Sequence, residues 1–248
     1  MLIVLFGCEQ NSQHSPESDG LSQTLIECGA AGEGGAPVSS IGGVVDRINA
    51  LPRPTSGACL VASLPRPLQV VATSGTISAQ PAGECDEAAL AEHPDALCDA
   101  RIFLLVPGVV IAVVPSGAGA KAIELGEWVS TTRTLKAEIA LPVTEALPPS
   151  EPFTRLLTGG VTACALCHAE EKAHPTIEHG YVSAAYRPVP RGSPASEGEI
   201  SLEILRAQHQ ACARSKEVSE RCDMFHALFD FGDVEQGVFS GEVDTFIH

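Results

Sequence analysis

From residue 133 to residue 141 the chain reads Arg-Thr-Leu-Lys-Ala-Glu-Ile-Ala-Leu, so that Leu135, Ala137, Ile139 and Leu141 alternate with Thr134, Lys136 and Glu138. A period of two is the signature of a β-strand with one face on a core and the other in solvent. Four further apolar stretches precede it, at residues 68–79, 101–106, 109–115 and 121–129, and Pro107-Gly108 and Ser116-Gly117-Ala118-Gly119 read as turns between them. Five short strands joined by tight turns predict an antiparallel β-sandwich or small barrel within residues 20–147.

Helical patterns flank this stretch. Ser40 is an N-cap residue type, and Ile41, Val44, Val45, Ile48 and Leu51 follow it on one helical stripe until Pro52 and Pro54 stop the helix. The run Leu147-Pro148-Pro149-Ser150-Glu151-Pro152 forbids regular structure and marks a boundary. Beyond it, Leu202, Leu205, His209 and Cys212 form one stripe, and Val218, Cys222, Phe225 and Phe229 form another that closes at Gly232. The expected class is therefore α+β. A polar tether at 1–19 leads to a β-rich domain at 20–147, followed by a mainly helical segment at 153–248.

Composition narrows the partners. With 15 Lys and Arg against 31 Asp and Glu the formal charge is −16, which repels phosphate backbones and excludes a nucleic-acid binder, while suiting a basic protein partner. Nine cysteines point to an oxidising compartment or to metal chemistry. No run of 18 apolar residues is present, so the sequence offers no membrane span.

The N-terminal stretch Leu2-Ile3-Val4-Leu5-Phe6-Gly7-Cys8, followed by a polar run, resembles the end of a bacterial lipoprotein signal, with Leu5 and Gly7 at the positions that mark the cleavage site. The resemblance implies lipidation of Cys8, attachment to the membrane by that lipid alone, and a periplasmic or outer-membrane location in the bacterial cell envelope.

The most specific feature is Cys164-Ala165-Leu166-Cys167-His168. The Cys-x-x-Cys-His spacing sets two thiols beside adjacent edges of one porphyrin and turns the following imidazole beneath its metal, and chance supplies such a run only about 0.01 times in a chain of this composition. These five residues resemble the attachment motif of c-type cytochromes. The resemblance implies covalent haem c with its iron, Cys164 and Cys167 as thioether anchors, and His168 as the proximal ligand. His174, His179, Met224 and His226 are the candidates for a sixth ligand. Without haem, Cys164 and Cys167 would form a disulfide or, with His174 and His179, a zinc site.

Setting aside Cys8, Cys164 and Cys167 leaves Cys28, Cys59, Cys85, Cys98, Cys212 and Cys222, which suffice for three disulfides. The pairs Cys85 with Cys98 and Cys212 with Cys222 are expected because each flanks a short helical segment. The function that unites motif, cysteine use and export signal is electron transfer at the envelope to a redox partner protein, rather than catalysis. A peroxidase-like haem enzyme and a haem-free, disulfide-stapled binding lipoprotein are the alternatives.

Overall fold

The computed structural model describes residues 22–32, 35, 37–73, 100–158, 161–188, 199–215 and 218–245. Strands β1 (Leu68–Thr73), β2 (Arg101–Val106), β3 (Val109–Val113), β4 (Ala122–Ser130) and β5 (Arg133–Ala140) are antiparallel neighbours in chain order. Gly108, at φ 83°, turns β2 into β3. A Cβ there would lie 2.3 Å from the Ser39 carbonyl oxygen, so both conformation and space demand glycine.

The chain then makes the small hairpin β6 (Leu157–Thr158) and β7 (Val161–Thr162) and returns to the sheet. Strand β8 (Lys172–Ala173) pairs with β9 (Tyr181–Ala184), and β9 pairs with β5, all antiparallel. A separate two-stranded pair joins β10 (Tyr186–Arg187) to a strand at Asp244–Thr245. At the far edge, β11 (Glu199–Ile200) runs antiparallel to one end of β1 and β12 (Val234–Gln236) parallel to the other. Residues on both sides of the proline-rich run thus share one nine-stranded sheet.

This is an α+β fold with a mostly antiparallel sheet, as its strand pattern predicts. The sheet is open rather than closed into a barrel, and helices, not a second large sheet, cover its core face. Ile102, Leu104, Ile111, Ile123, Leu125, Leu135, Ala137 and Ile139 share a buried cluster with Ile41, Val44, Val45, Ile48, Leu60, Val61, Phe225 and Leu228. Each large apolar side chain sealed there contributes roughly 1.5–3 kcal/mol.

Six helices lie among the described residues. Helix α1 (Gln23–Gly32) is tied by the Cys28–Cys59 disulfide to α3 (Gly57–Ala62), and α2 (Ile41–Ala50) begins where Ser40 Oγ accepts from the Gly43 N–H at 3.0 Å. The single turn α4 (Glu151–Thr154) follows Pro148 and Pro149 and takes Pro152 into its first turn, where a missing N–H costs nothing, so the proline-rich run does not exclude helix as expected. Helices α5 (Leu202–Ser215) and α6 (Glu220–Phe229) form the hairpin that the two stripes predict, with Cys212 and Cys222 bridged at 2.02 Å. Neither α1 nor the Cys28–Cys59 pair is among the sequence expectations. Cys8 and the expected Cys85–Cys98 pair lie outside the described residues.

Candidate functional site

The second face of β5 is not the solvent face that its alternation suggests. Thr134 is 3% exposed and Lys136 8%, and the Cys164–His168 segment reaches Lys136 through His168. Nor is that segment helical beyond a single 3-10 turn at Ala163–Leu166. Its start is fixed by Thr162, whose hydroxyl oxygen accepts from the Cys164 N–H at 3.1 Å. The Glu171 carboxylate holds Thr162 in turn, accepting from its N–H at 3.0 Å and from its hydroxyl. The N–H groups of Cys167 and His168 then converge on the Cys164 carbonyl at 3.1 and 2.8 Å, wrapping the five-residue motif into one compact turn.

Three residues of β5 meet the motif turn or the segments that flank it. Arg133 pairs with the Glu170 carboxylate at 2.8 Å, Glu138 with Arg155 at 2.6 Å, and Lys136 Nζ reaches His168 Nδ1 at 3.3 Å. His168 Nδ1 also lies 2.8 Å from the Ala184 carbonyl on β9, and its ring stacks on Tyr186 with centroids 5.4 Å apart. A carbonyl only accepts, so Nδ1 carries the proton and Nε2 keeps its lone pair. Burial, with the Lys136 ammonium beside it, pushes the His168 pKa down to about 4. The imidazole is therefore neutral at pH 7, in the tautomer that a metal ligand needs.

Cys164 and Cys167 are both unpaired thiols, partly exposed. Burial pushes the Cys164 thiol up to about 11, against the pull of Lys136. Burial also pushes Lys136 down to about 8, although Cys164, Glu124 and Glu171 favour its charge. Close by, Thr134 and Ser183 face each other across β5 and β9, and both hydroxyls are buried without a hydrogen-bond partner.

Of the candidate sixth ligands, Met224 and His226 are on the wrong side of the sheet. Both are buried in α6 on the helical face, where Met224 packs near Gly57 and His226 Nδ1 bonds to Asp230 at 2.6 Å. His174 and His179 belong to the β8–β9 loop on the motif's own side of the chain. There His174 Nδ1 accepts from the Ile177 N–H at 3.1 Å, and His179 sits at φ 61°. The zinc set of Cys164, Cys167, His174 and His179 is not assembled. Among the described residues, only His209, His226 and Asp230 bring three such ligand atoms within 4.8 Å of one another.

Sequence reasoning missed Lys136, Glu171, Ala184 and Tyr186 as the setting of the motif. Thr162 alone carried a local signal, as a capping residue type at the head of a turn. The chain matches no family model, no curated protein and no solved structure.

Proposed function

We propose that this protein is an exported c-type haem protein that transfers electrons at the bacterial cell envelope. One observation carries the reading: the imidazole that follows two unpaired thiols on one turn donates Nδ1–H to Ala184 and leaves Nε2 unprotonated. The donor set fits covalent haem, with Cys164 and Cys167 as anchors and His168 as the iron ligand. Each thiol would add its S–H across one vinyl double bond, a step that consumes no oxidant and requires both cysteines reduced. Bound haem supplies reversible one-electron chemistry. Ala184 orients the His168 ring, Tyr186 supports its face, and Lys136 places positive charge beside it.

The rest of the chain supports a compartment and a kind of partner. The Cys28–Cys59 and Cys212–Cys222 disulfides favour an oxidising environment. No helix among the described residues is long and apolar enough to cross a membrane. The Leu5-Phe6-Gly7-Cys8 sequence supports a lipid on Cys8 as the anchor. The −16 charge favours docking to a basic redox partner.

A second reading, the haem-free binding lipoprotein, is favoured by the contacts that His168 already makes with Ala184, Lys136 and Tyr186. The two part on a single experiment. Expressed in a periplasm with active haem-maturation machinery, the protein should give a pyridine haemochrome spectrum and keep its haem in acid acetone, and Cys164→Ala with Cys167→Ala should abolish that retention. Colourless wild-type protein with a Cys164–Cys167 disulfide would overturn the haem reading and leave the binding one.

A further inference from the structure

A second chemical centre lies on the opposite face of the sheet from the motif, in the helical hairpin. Asp230 is the C-cap residue of α6, its N–H bonded to the His226 carbonyl at 2.9 Å, and this fixes its carboxylate over the end of the helix. His226 Nδ1 meets one carboxylate oxygen at 2.6 Å, and His209 Nε2, from α5, meets the other at 2.7 Å. The two imidazoles touch edge to face with centroids 5.3 Å apart, and His209 also packs on Phe229 at 5.4 Å. The Cys212–Cys222 bridge joins the two helices about one turn from each histidine, so the spacing of the hairpin is set before any ligand arrives.

We infer that His209, His226 and Asp230 form a binding site for a divalent transition-metal ion of the zinc, copper or nickel type. Two imidazole nitrogens and one carboxylate are a borderline donor set that suits these ions and not magnesium or calcium, which take oxygen. Three protein ligands leave a fourth position for water. The side chains of His209 and Asp230 are 20% and 23% exposed while that of His226 is 3% exposed, so the site is anchored inside and open on one side.

Binding needs a modest rearrangement. The two nitrogens meet different carboxylate oxygens and the ligand atoms lie within 4.8 Å of one another, so to reach the spacing of roughly 3.3 Å in a tetrahedral zinc shell each imidazole retreats from the carboxylate by about 0.6 Å and the widest separation closes by at most about 1.5 Å. In the bound state both imidazoles are neutral, each with its proton on the ring nitrogen that faces away from Asp230. The ion would replace two N–H donors at a carboxylate with one divalent charge.

Cobalt(II) titration of the EDTA-stripped full chain tests this, because thiolate ligation announces itself by sulfur-to-metal charge-transfer absorption and nitrogen and oxygen ligation does not. The expected result is one equivalent bound with d–d bands of a four- or five-coordinate ion and no charge-transfer band, competed away by Zn2+. H209A and D230N should each weaken Zn2+ binding at least about 100-fold in calorimetry, more than the loss of a supporting contact brings. C164S/C167S should bind as wild type does. Binding absent in wild type, unchanged in H209A and D230N, or lost in C164S/C167S would overturn the proposal. The wild-type cobalt spectrum excludes the thiols, and D230N, which keeps the shape of the side chain, locates the ion at the hairpin even if H209A fails to fold.

Discussion

Lys136 and His168 lie 3.3 Å apart, yet they do not share a proton in a hydrogen bond, because His168 Nδ1 already spends its hydrogen on the Ala184 carbonyl at 2.8 Å. A buried ammonium is thus held against the donor side of an imidazole. The contact weakens protonation of His168, and the Glu124 and Glu171 carboxylates support the ammonium that imposes it. The pair couples the electrostatics of the motif turn to β5.

In protein without haem, His168 should titrate near pH 4, and Lys136→Met should raise that value, since desolvation would remain but the neighbouring cation would be gone. Histidine NMR titration reads both. The sign for stability follows. The folded pKa lies below the unfolded value of 6.5, so the unfolded chain takes up the proton first as pH falls. This group's contribution is complete above pH 6.5 and is lost between there and about pH 4, to the extent of about 3 kcal/mol. Urea unfolding at a series of pH values should show a shallower acid limb in His168→Leu; identical limbs would contradict the assignment.

Cys164 should be a slow thiol. With its pKa at about 11 instead of 9.0, roughly 100-fold less thiolate is present at pH 8 than for an unperturbed cysteine. Iodoacetamide should therefore modify Cys164 in native haem-free protein at least about tenfold more slowly than after denaturation. Peptide mapping over a time course measures the rate. Lys136→Met should slow it further, because the ammonium is the largest influence favouring the thiolate.

Much of the sheet was legible because period-two alternation is local. Strands 101–106, 109–113, 122–130 and 133–140 fall within two residues of their sequence limits. What covers each face was not legible. Leu135 and Lys136 are both buried, one by helices and one by a segment some thirty residues further along, and alternation cannot distinguish a solvent face from a polar face under another layer. The motif residues themselves were plain in the sequence. Their setting depends on Ala184, which β9 brings in through pairing with β5, and on Tyr186 two residues beyond it in β10, and such long-range pairing leaves no mark on a single sequence. Likewise, His226 and Asp230 stand at i and i+4, a spacing that places them on one helix face, whereas the arrival of His209 depends on how the hairpin packs.

The opposed hydroxyls of Thr134 and Ser183 should be a source of lost stability. Each is buried without a partner, and such a group forfeits about 1–3 kcal/mol of hydration. Thr134→Val keeps the branched shape that suits a strand and removes the hydroxyl, so haem-free protein should gain about 1 kcal/mol, or about 2–4 °C in Tm. Thermal unfolding checks it. A fall in Tm would mean that a water or a bound group satisfies the hydroxyl.

The two disulfides should contribute unequally. Cys28–Cys59 closes a sequence separation of 31 residues and Cys212–Cys222 one of 10. Loop-closure entropy assigns them about 3.7 and 2.8 kcal/mol, so removal of the longer loop should cost about 1 kcal/mol more. All four cysteines are at most 2% exposed, so replacing either pair by alanine leaves similar small voids and the comparison isolates the loop term. The variants C28A/C59A and C212A/C222A, unfolded in urea under non-reducing conditions, give the two numbers. Metal binding adds a second contrast. If the shorter bridge sets the spacing of His209 and His226, C212A/C222A should weaken Zn2+ affinity while C28A/C59A leaves it unchanged, and equal affinities in the two variants would assign the bridge a purely entropic role.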